Sequence, residues 1–193
     1  TMACAITAQK LRIKVAHVEA GIRSNDWTMP EEVNRLITDS ISNYFFTTSD
    51  LANKNLKSSG FDESKIFYVG NTMIDTLLKN KPRFTKPPIW DEINLISKKF
   101  IVMTLHRPAN VDEGIKLKRM MNQIIENSHE TQLIFPVHPR TRKIMDNLAI
   151  VHPRLNMVDP MSYLEFNYLV SRSLAVITDS GGITEETTVL GIP

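Results

Sequence analysis

The sequence predicts an α/β protein with parallel sheets, divided into two halves near residue 80. Three observations carry this. Short apolar runs without in–out alternation recur along the chain, as strands buried on both faces of a parallel sheet require. Amphipathic stretches with a helical period separate them, which is the pattern of βαβ units. The segment "KNKPRFTKPPIWDE" at 79–92 breaks both patterns with three prolines and three lysines, and it reads as a linker or inter-domain crossing.

In chain order, 1–11 reads as a helix, and strands are expected at 14–18, 44–47 and 66–69. Between the first two, a helix over 30–42 starts at Pro30 and places Val33, Leu36, Ile37 and Ile41 on one face. After the break, strands are expected at 100–105, 132–137, 155–158 and 174–178. Pro136 weakens the end of its run, because it has no N–H for a central ladder. Helices over 113–126 and 162–173 carry Ile115, Met120, Ile124 and Ile125, and Leu164, Tyr168 and Leu169. The expected division is a first domain at 1–80, a crossing at 81–98 and a second domain at 99–193. Both domains read as incomplete. Thr1 falls inside a helical pattern and Pro193 where a turn leads to a further strand, so an internal fragment is expected.

Composition narrows the function classes. The chain of 193 residues is 42% hydrophobic and 23% charged, which suits a globular protein with a buried core. A net charge of +2 is too small to mark a nucleic-acid binder. No apolar run approaches the roughly 20 residues of a bilayer-spanning helix, so no membrane role is expected. Cys4 is the single cysteine. An internal disulfide and a Cys-based zinc site are therefore excluded, which suits the cytoplasm.

Open α/β sheets bind ligands outside the carboxyl ends of their strands. The richest strand end is "TDSGGITEE" at 178–186. Gly181 and Gly182 open a helix whose free N–H groups suit a phosphate, and Ser180 adds a hydroxyl. Glu185 and Glu186 follow one turn later, where a carboxylate can accept ribose hydroxyls. The alternative is a plain tight turn with glutamates that complement the helix dipole. His106 and Arg107 end one strand, and His138, Arg140, Arg142 and Lys143 follow the next. Together these imply a pocket for an anionic ligand, although Arg142 and Lys143 read better as solvated helix charges. "HVEAGIRSNDWTMPEEVNR" at 17–35 supplies Glu19 and Glu31. They read either as cleft carboxylates with pKa values raised by burial or, for Glu31, as half of a Thr28–Glu31 capping box. In "DPMSYLEF", Tyr163 reads as a core stripe residue and Phe166 as core or as a neighbour of a nucleobase.

With these motifs assembled, the chain resembles the UDP-N-acetylglucosamine 2-epimerases. The resemblance rests on "HVEAGIRS", "MPEEVNR", "VGNTMIDTL", "LHRPANVD", "FPVHPR" and "TDSGGITEE", in that order. It implies two Rossmann-like domains of GT-B type with a UDP-sugar in the cleft between them. It also implies a non-hydrolysing reaction that interconverts UDP-GlcNAc and UDP-ManNAc by elimination and re-addition of UDP, with no NAD and no metal. Carried onto this chain, Glu19, Glu31 and His106 are the expected catalytic residues. His106, Phe166, Ser180, Gly181, Gly182 and Glu186 are expected to bind UDP. Arg107 and His138 match an allosteric site for a second UDP-GlcNAc. A homodimer is expected of the full-length protein.

Two departures qualify the match. Ala109 stands where the family commonly has Glu, which puts allostery in question. The family's Gly-Asp-Thr motif, with a further catalytic carboxylate, would precede residue 1, so the 193 residues alone are expected not to epimerise. A hydrolysing 2-epimerase that releases ManNAc and UDP stays open, as does a non-catalytic nucleotide-sugar binding protein. A GT-B glycosyltransferase fits less well, because it would lack the "HVEAG" and "PEE" carboxylates.

Overall fold

The computed structural model describes residues 1–193, apart from the side chains of Pro108, Ala109 and Arg140. The chain forms two compact units, Thr1–Asp75 and Thr76–Pro193.

In the first unit α1 (Met2–Lys10), β1 (Ala16–Val18), α2 (Pro30–Ser40), β2 (Tyr44–Thr47), α3 (Asp50–Ser58) and β3 (Ile66–Tyr68) follow one another. The strands form a parallel sheet in the order β1-β2-β3, with Ala16 opposite Tyr44 and Phe45 opposite Ile66. Its core is small: Ala20, Phe45 and Leu56 are buried, with Phe61 and Ile66 against them. Ser49 caps α3 by accepting from the Ala52 N–H.

The turn after β1 runs hard against α3. A Cβ on Gly21 would lie 2.4 Å from the Ala52 carbonyl oxygen, and Gly21 has φ +76°. Only glycine fits such a position without displacement. Glu19, two residues earlier, also has positive φ, at 65°. A glutamate in that region is strained, and strain of this kind clusters at functional sites.

α4 (Thr72–Asn80) spans the junction between the units. In the second unit come α5 (Ile89–Glu92), β4 (Phe100–Thr104), α6 (Pro108–Val111), α7 (Gly114–Asn127), β5 (Gln132–Pro136), α8 (Pro139–Asn147), β6 (Leu155–Val158), α9 (Tyr163–Arg172), β7 (Ala175–Thr178) and α10 (Gly181–Leu190). The sheet is parallel throughout, in the order β6-β5-β4-β7. Successive residues of β4 enter opposite cores. Met103 packs with Leu117, Met121, Phe135 and Met145 on one face, and Phe100 and Val102 with Ile134, Leu169 and Val170 on the other. Two buried faces explain the continuous apolar runs of the sequence. Pro136 sits at the last position of its strand, opposite Val158, so its missing donor interrupts no ladder.

The segment expected to be a crossing at 81–98 packs into the second unit. Trp90 meets Phe100 edge-on at 5.7 Å and Tyr168 at 5.4 Å. Leu95 is buried in the same core, with Ile89 and Ile93 beside it. The division between units falls after Asp75, ahead of the proline-rich stretch. The prolines mark bends in the chain, and the apolar residues among them bind it to the sheet face.

Candidate functional site

In the order β6-β5-β4-β7 the chain turns away from β4 in both directions, so the carboxyl ends of β4 and β7 flank a topological switch point. The two strand ends are joined by the hydroxyls of Thr104 and Thr178, 2.7 Å apart. One residue further on, Asp179 organises the site. Its carboxylate accepts from the N–H groups of His106 (3.1 Å) and Arg107 (2.9 Å) and from Nδ2 of Asn110 (3.0 Å). Its Oδ1 also lies 2.6 Å from Nδ1 of His106; the Asp179 side chain is 9% exposed and the imidazole 64%. Burial pushes the Asp179 carboxyl up. The bonds from Asn110, Arg107 and His106, together with the charge of His106, outweigh this and hold it below the usual carboxylate range. The sequence places Asp179 at a strand end, before a Ser-Gly-Gly helix start, but assigns it no role.

The next residues start α10. Ser180 is its N-cap, and its Oγ accepts from the Ile183 N–H at 3.4 Å. One first-turn amide is thus capped by the protein itself. Among the described residues nothing accepts from the N–H groups of Gly181 and Gly182. Neither glycine has positive φ, and a Cβ on Gly181 would meet nothing within 4 Å. At Gly181 the absent side chain leaves open space before the first amides of α10.

Glu186, on the same helix, is buried, and its Oε1 accepts from the hydroxyl of Tyr163 at 2.8 Å. This corrects the reading of Tyr163 as a core residue. Tyr163 is 40% exposed and donates its hydroxyl from the first residue of α9. Burial, the bond to Glu186 and the charge of that carboxylate all push the Tyr163 phenol above its ordinary value. Phe166 is half-buried and packs on the core around Phe100 and Leu169.

In the first unit, Glu19 and Glu31 line one cavity of about 480 Å³, together with His17, Asn34, Arg35 and Thr38. The capping box does not form. Met29 is the N-cap of α2 without a side-chain bond, and the Thr28 hydroxyl donates to Asp26 at 2.6 Å. Nor is either carboxylate deeply buried: Glu31 is exposed and Glu19 half-buried. The buried glutamate is Glu32, which accepts from the N–H and Oγ of Ser24 and the N–H of Asn25. Burial pushes its carboxyl up, but these bonds and Arg35 bring the net value down.

Asp39 completes the unit. It is fully buried and holds Nδ1 of His17 at 2.6 Å, Arg23 at 2.7 Å and the Gly21 N–H at 3.2 Å. All three partners flank Glu19. The sequence signal was Glu32, Arg35 and Asp39 at i, i+3 and i+7, one face of a helix.

The model of the UDP-N-acetylglucosamine 2-epimerase family matches residues 1–193. The chain belongs to this family. A UDP-N-acetylglucosamine 2-epimerase homolog from Methanococcus maripaludis is 42% identical over 200 residues, which cover 100% of this chain and 55% of the relative. A UDP-2,3-diacetamido-2,3-dideoxy-D-glucuronate 2-epimerase from Pseudomonas aeruginosa is 39% identical, with 100% and 54% covered. The crystal structure of the Methanocaldococcus jannaschii UDP-GlcNAc 2-epimerase in complex with UDP-GlcNAc and UDP matches with a TM-score of 0.86 and 39% identity, covering 100% of this chain and 55% of that one. The chain spans about half the length of the curated relatives it matches. Its α/β fold with parallel sheets is that of these GT-B-type epimerases.

Seen as an epimerase-family chain, the remaining expected residues divide clearly. Arg107 and His138 are both exposed at strand ends of the second unit. Arg142 reaches Asp159 at 3.4 Å on the surface and Lys143 is exposed, in keeping with solvated helix charges. Arg140 and Ala109 lie outside the described side chains. Among the described residues, no group of three or more His, Cys, Asp or Glu side chains is placed to hold a metal ion, and no helix is long and apolar enough to cross a membrane.

Proposed function

We propose that the full-length protein is a non-hydrolysing UDP-GlcNAc 2-epimerase of the cytoplasm. The observation that carries this reading is the cavity shared by Glu19 and Glu31. Free amides at a helix start suit any UDP-sugar enzyme, whereas inversion at C2 needs acid–base groups as well.

In this reading the second unit holds the nucleotide. The Gly181 and Gly182 amides and the Ser180 hydroxyl bind the diphosphate, Glu186 the ribose, and Phe166 borders the uracil. His106 contacts the diphosphate. A carboxylate of the Glu19–Glu31 pair takes the C2 proton. The C1–O bond breaks, UDP leaves with the bonding electrons, and a C1–C2 double bond remains in the sugar. UDP then re-adds at C1 while a proton returns to the opposite face of C2. The cycle is redox-neutral and calls for no NAD. Arg107 and His138 are proposed contacts to a regulatory second UDP-GlcNAc, and the working form is a homodimer.

The test is to incubate the full-length protein with UDP-GlcNAc in D2O and follow the sugar by NMR. UDP-ManNAc deuterated at C2 is the expected product. Free ManNAc and UDP without UDP-ManNAc would assign the hydrolysing reaction instead, and UDP binding without turnover a non-catalytic role. The Pseudomonas relative, named for a 2,3-diacetamido glucuronate substrate, favours a second reading in which the same C2 inversion acts on that more decorated sugar. Parallel assays with both UDP-sugars decide between them.

A further inference from the structure

Asp179 is the most heavily bonded side chain at the switch point, yet neither the motif pattern nor the family match gives it a part. It receives two backbone N–H groups and one amide from the 106–110 loop, as well as the ring of His106. Its own neighbours in the chain are Thr178, tied to Thr104, and Ser180, which caps α10. One carboxylate therefore fastens the histidine loop to the residue from which the free amides begin.

We propose that Asp179 is a positioning residue for His106, which keeps the proton of the neutral ring on Nδ1 and leaves Nε2 to face the ligand. This rests on the reading of His106 as a diphosphate contact. The physical argument is short. A carboxylate only accepts, so an imidazole nitrogen 2.6 Å away must carry the hydrogen. Nε2 has no bonding partner among the described residues, and the ring is mostly exposed. A further proton therefore arrives at Nε2. It makes His106 a charged donor whose second N–H is already held by Asp179. Such a donor, fixed in place before the reaction, stabilises the charge that gathers on UDP as C1–O breaks. The backbone bonds to the same carboxylate keep the ring from swinging away when the site is empty.

Histidine-selective 15N NMR of the wild-type full-length enzyme tests this, with His106→Gln serving to assign the signal. Wild-type His106 is expected in the Nδ1–H form; an Nε2–H tautomer would overturn the proposal. In Asp179→Asn the side-chain amide donates where the carboxylate accepted. The Nε2–H form should grow and kcat should fall at least about tenfold. The Kd for UDP should move less than about threefold, because the backbone amides remain. An unchanged tautomer, or a change confined to KM, would sink the positioning role while leaving the diphosphate reading intact. If His106→Gln itself leaves both UDP affinity and kcat unchanged, the diphosphate reading fails, and this inference with it. Should Asp179→Asn not fold, the wild-type spectrum alone decides.

Discussion

Tyr163 donates its hydroxyl to Glu186 across 2.8 Å, so the carboxylate proposed to hold a ribose already has one protein partner. One oxygen is fixed in direction and the other is left for the ligand. Replacing Tyr163 with Phe removes a bond to a charged group and is expected to cost about 1–2 kcal/mol in chemical denaturation. The raised phenol pKa carries its own sign. Its stabilising contribution is complete below the ordinary tyrosine value and is lost as pH rises through the higher folded value. Ultraviolet titration of wild type against Tyr163→Phe should isolate a phenol that ionises later than a free tyrosine, and Glu186→Gln should bring it back down.

Gly181 separates ligand approach from backbone need. Its φ is not positive, and a Cβ there would meet nothing within 4 Å. Gly181→Ala should therefore change stability by less than about 1 kcal/mol, in the favourable direction that helix propensity gives alanine. UDP affinity should fall at least about tenfold, because the methyl group stands before the free amides. Calorimetric titration with UDP checks this, and unchanged affinity would remove the diphosphate from α10.

Gly21 has the opposite character. There φ is +76° and a Cβ would lie 2.4 Å from the Ala52 carbonyl oxygen. Gly21→Ala is expected to cost at least about 2 kcal/mol from strain and overlap combined, read as a lower denaturation midpoint.

Asp39 anchors the strained turn that carries Glu19. Asp39→Ala leaves the Arg23 guanidinium buried with its ion partner gone. It is expected to destabilise by about 3–5 kcal/mol, the range for breaking a buried pair. Epimerase activity of the full-length protein should fall with it at temperatures where the protein remains folded, because Glu19 loses the frame that sets its direction.

Acid should weaken both units. Asp179 and Glu32 have folded pKa values below their ordinary ones. Groups of this kind stabilise fully above the unfolded pKa and lose that contribution as pH falls through the folded value. The denaturation midpoint should therefore hold steady near neutrality and drop below about pH 4, the ordinary carboxylate range. Asp179→Asn should flatten that drop in the second unit.

Much of this was legible in the sequence, for physical reasons that differ by element. The strands over 100–105 and 132–137 were readable because both faces of their sheet are apolar, and that leaves a continuous run. Spacing alone could not choose between a catalytic and a structural part for Glu19 and Glu31, whose catalytic part comes from the family resemblance; both line one cavity of the first unit. What escaped was long-range polar bonding. Asp179 meets His106 from 73 residues away and Asp39 meets His17 from 22, and no local period records such partners. Tyr163 was misjudged because helical spacing shows which residues share a face but not what a phenol tip reaches. Trp90 was assigned to a crossing because prolines surround it, although its ring binds the segment to a sheet.

The pairing of β4 with β7 bears on how the protein comes off the ribosome. Residues 100–104 are made long before residues 175–178, yet the carboxylate that holds His106 follows the later strand. A nascent chain that has emerged as far as α9 already holds three strands of the second sheet but lacks the carboxylate that ties residues 106 and 107 to the start of α10. On the proposed reading, the second unit cannot hold a nucleotide before β7, Asp179 and the start of α10 have emerged and folded.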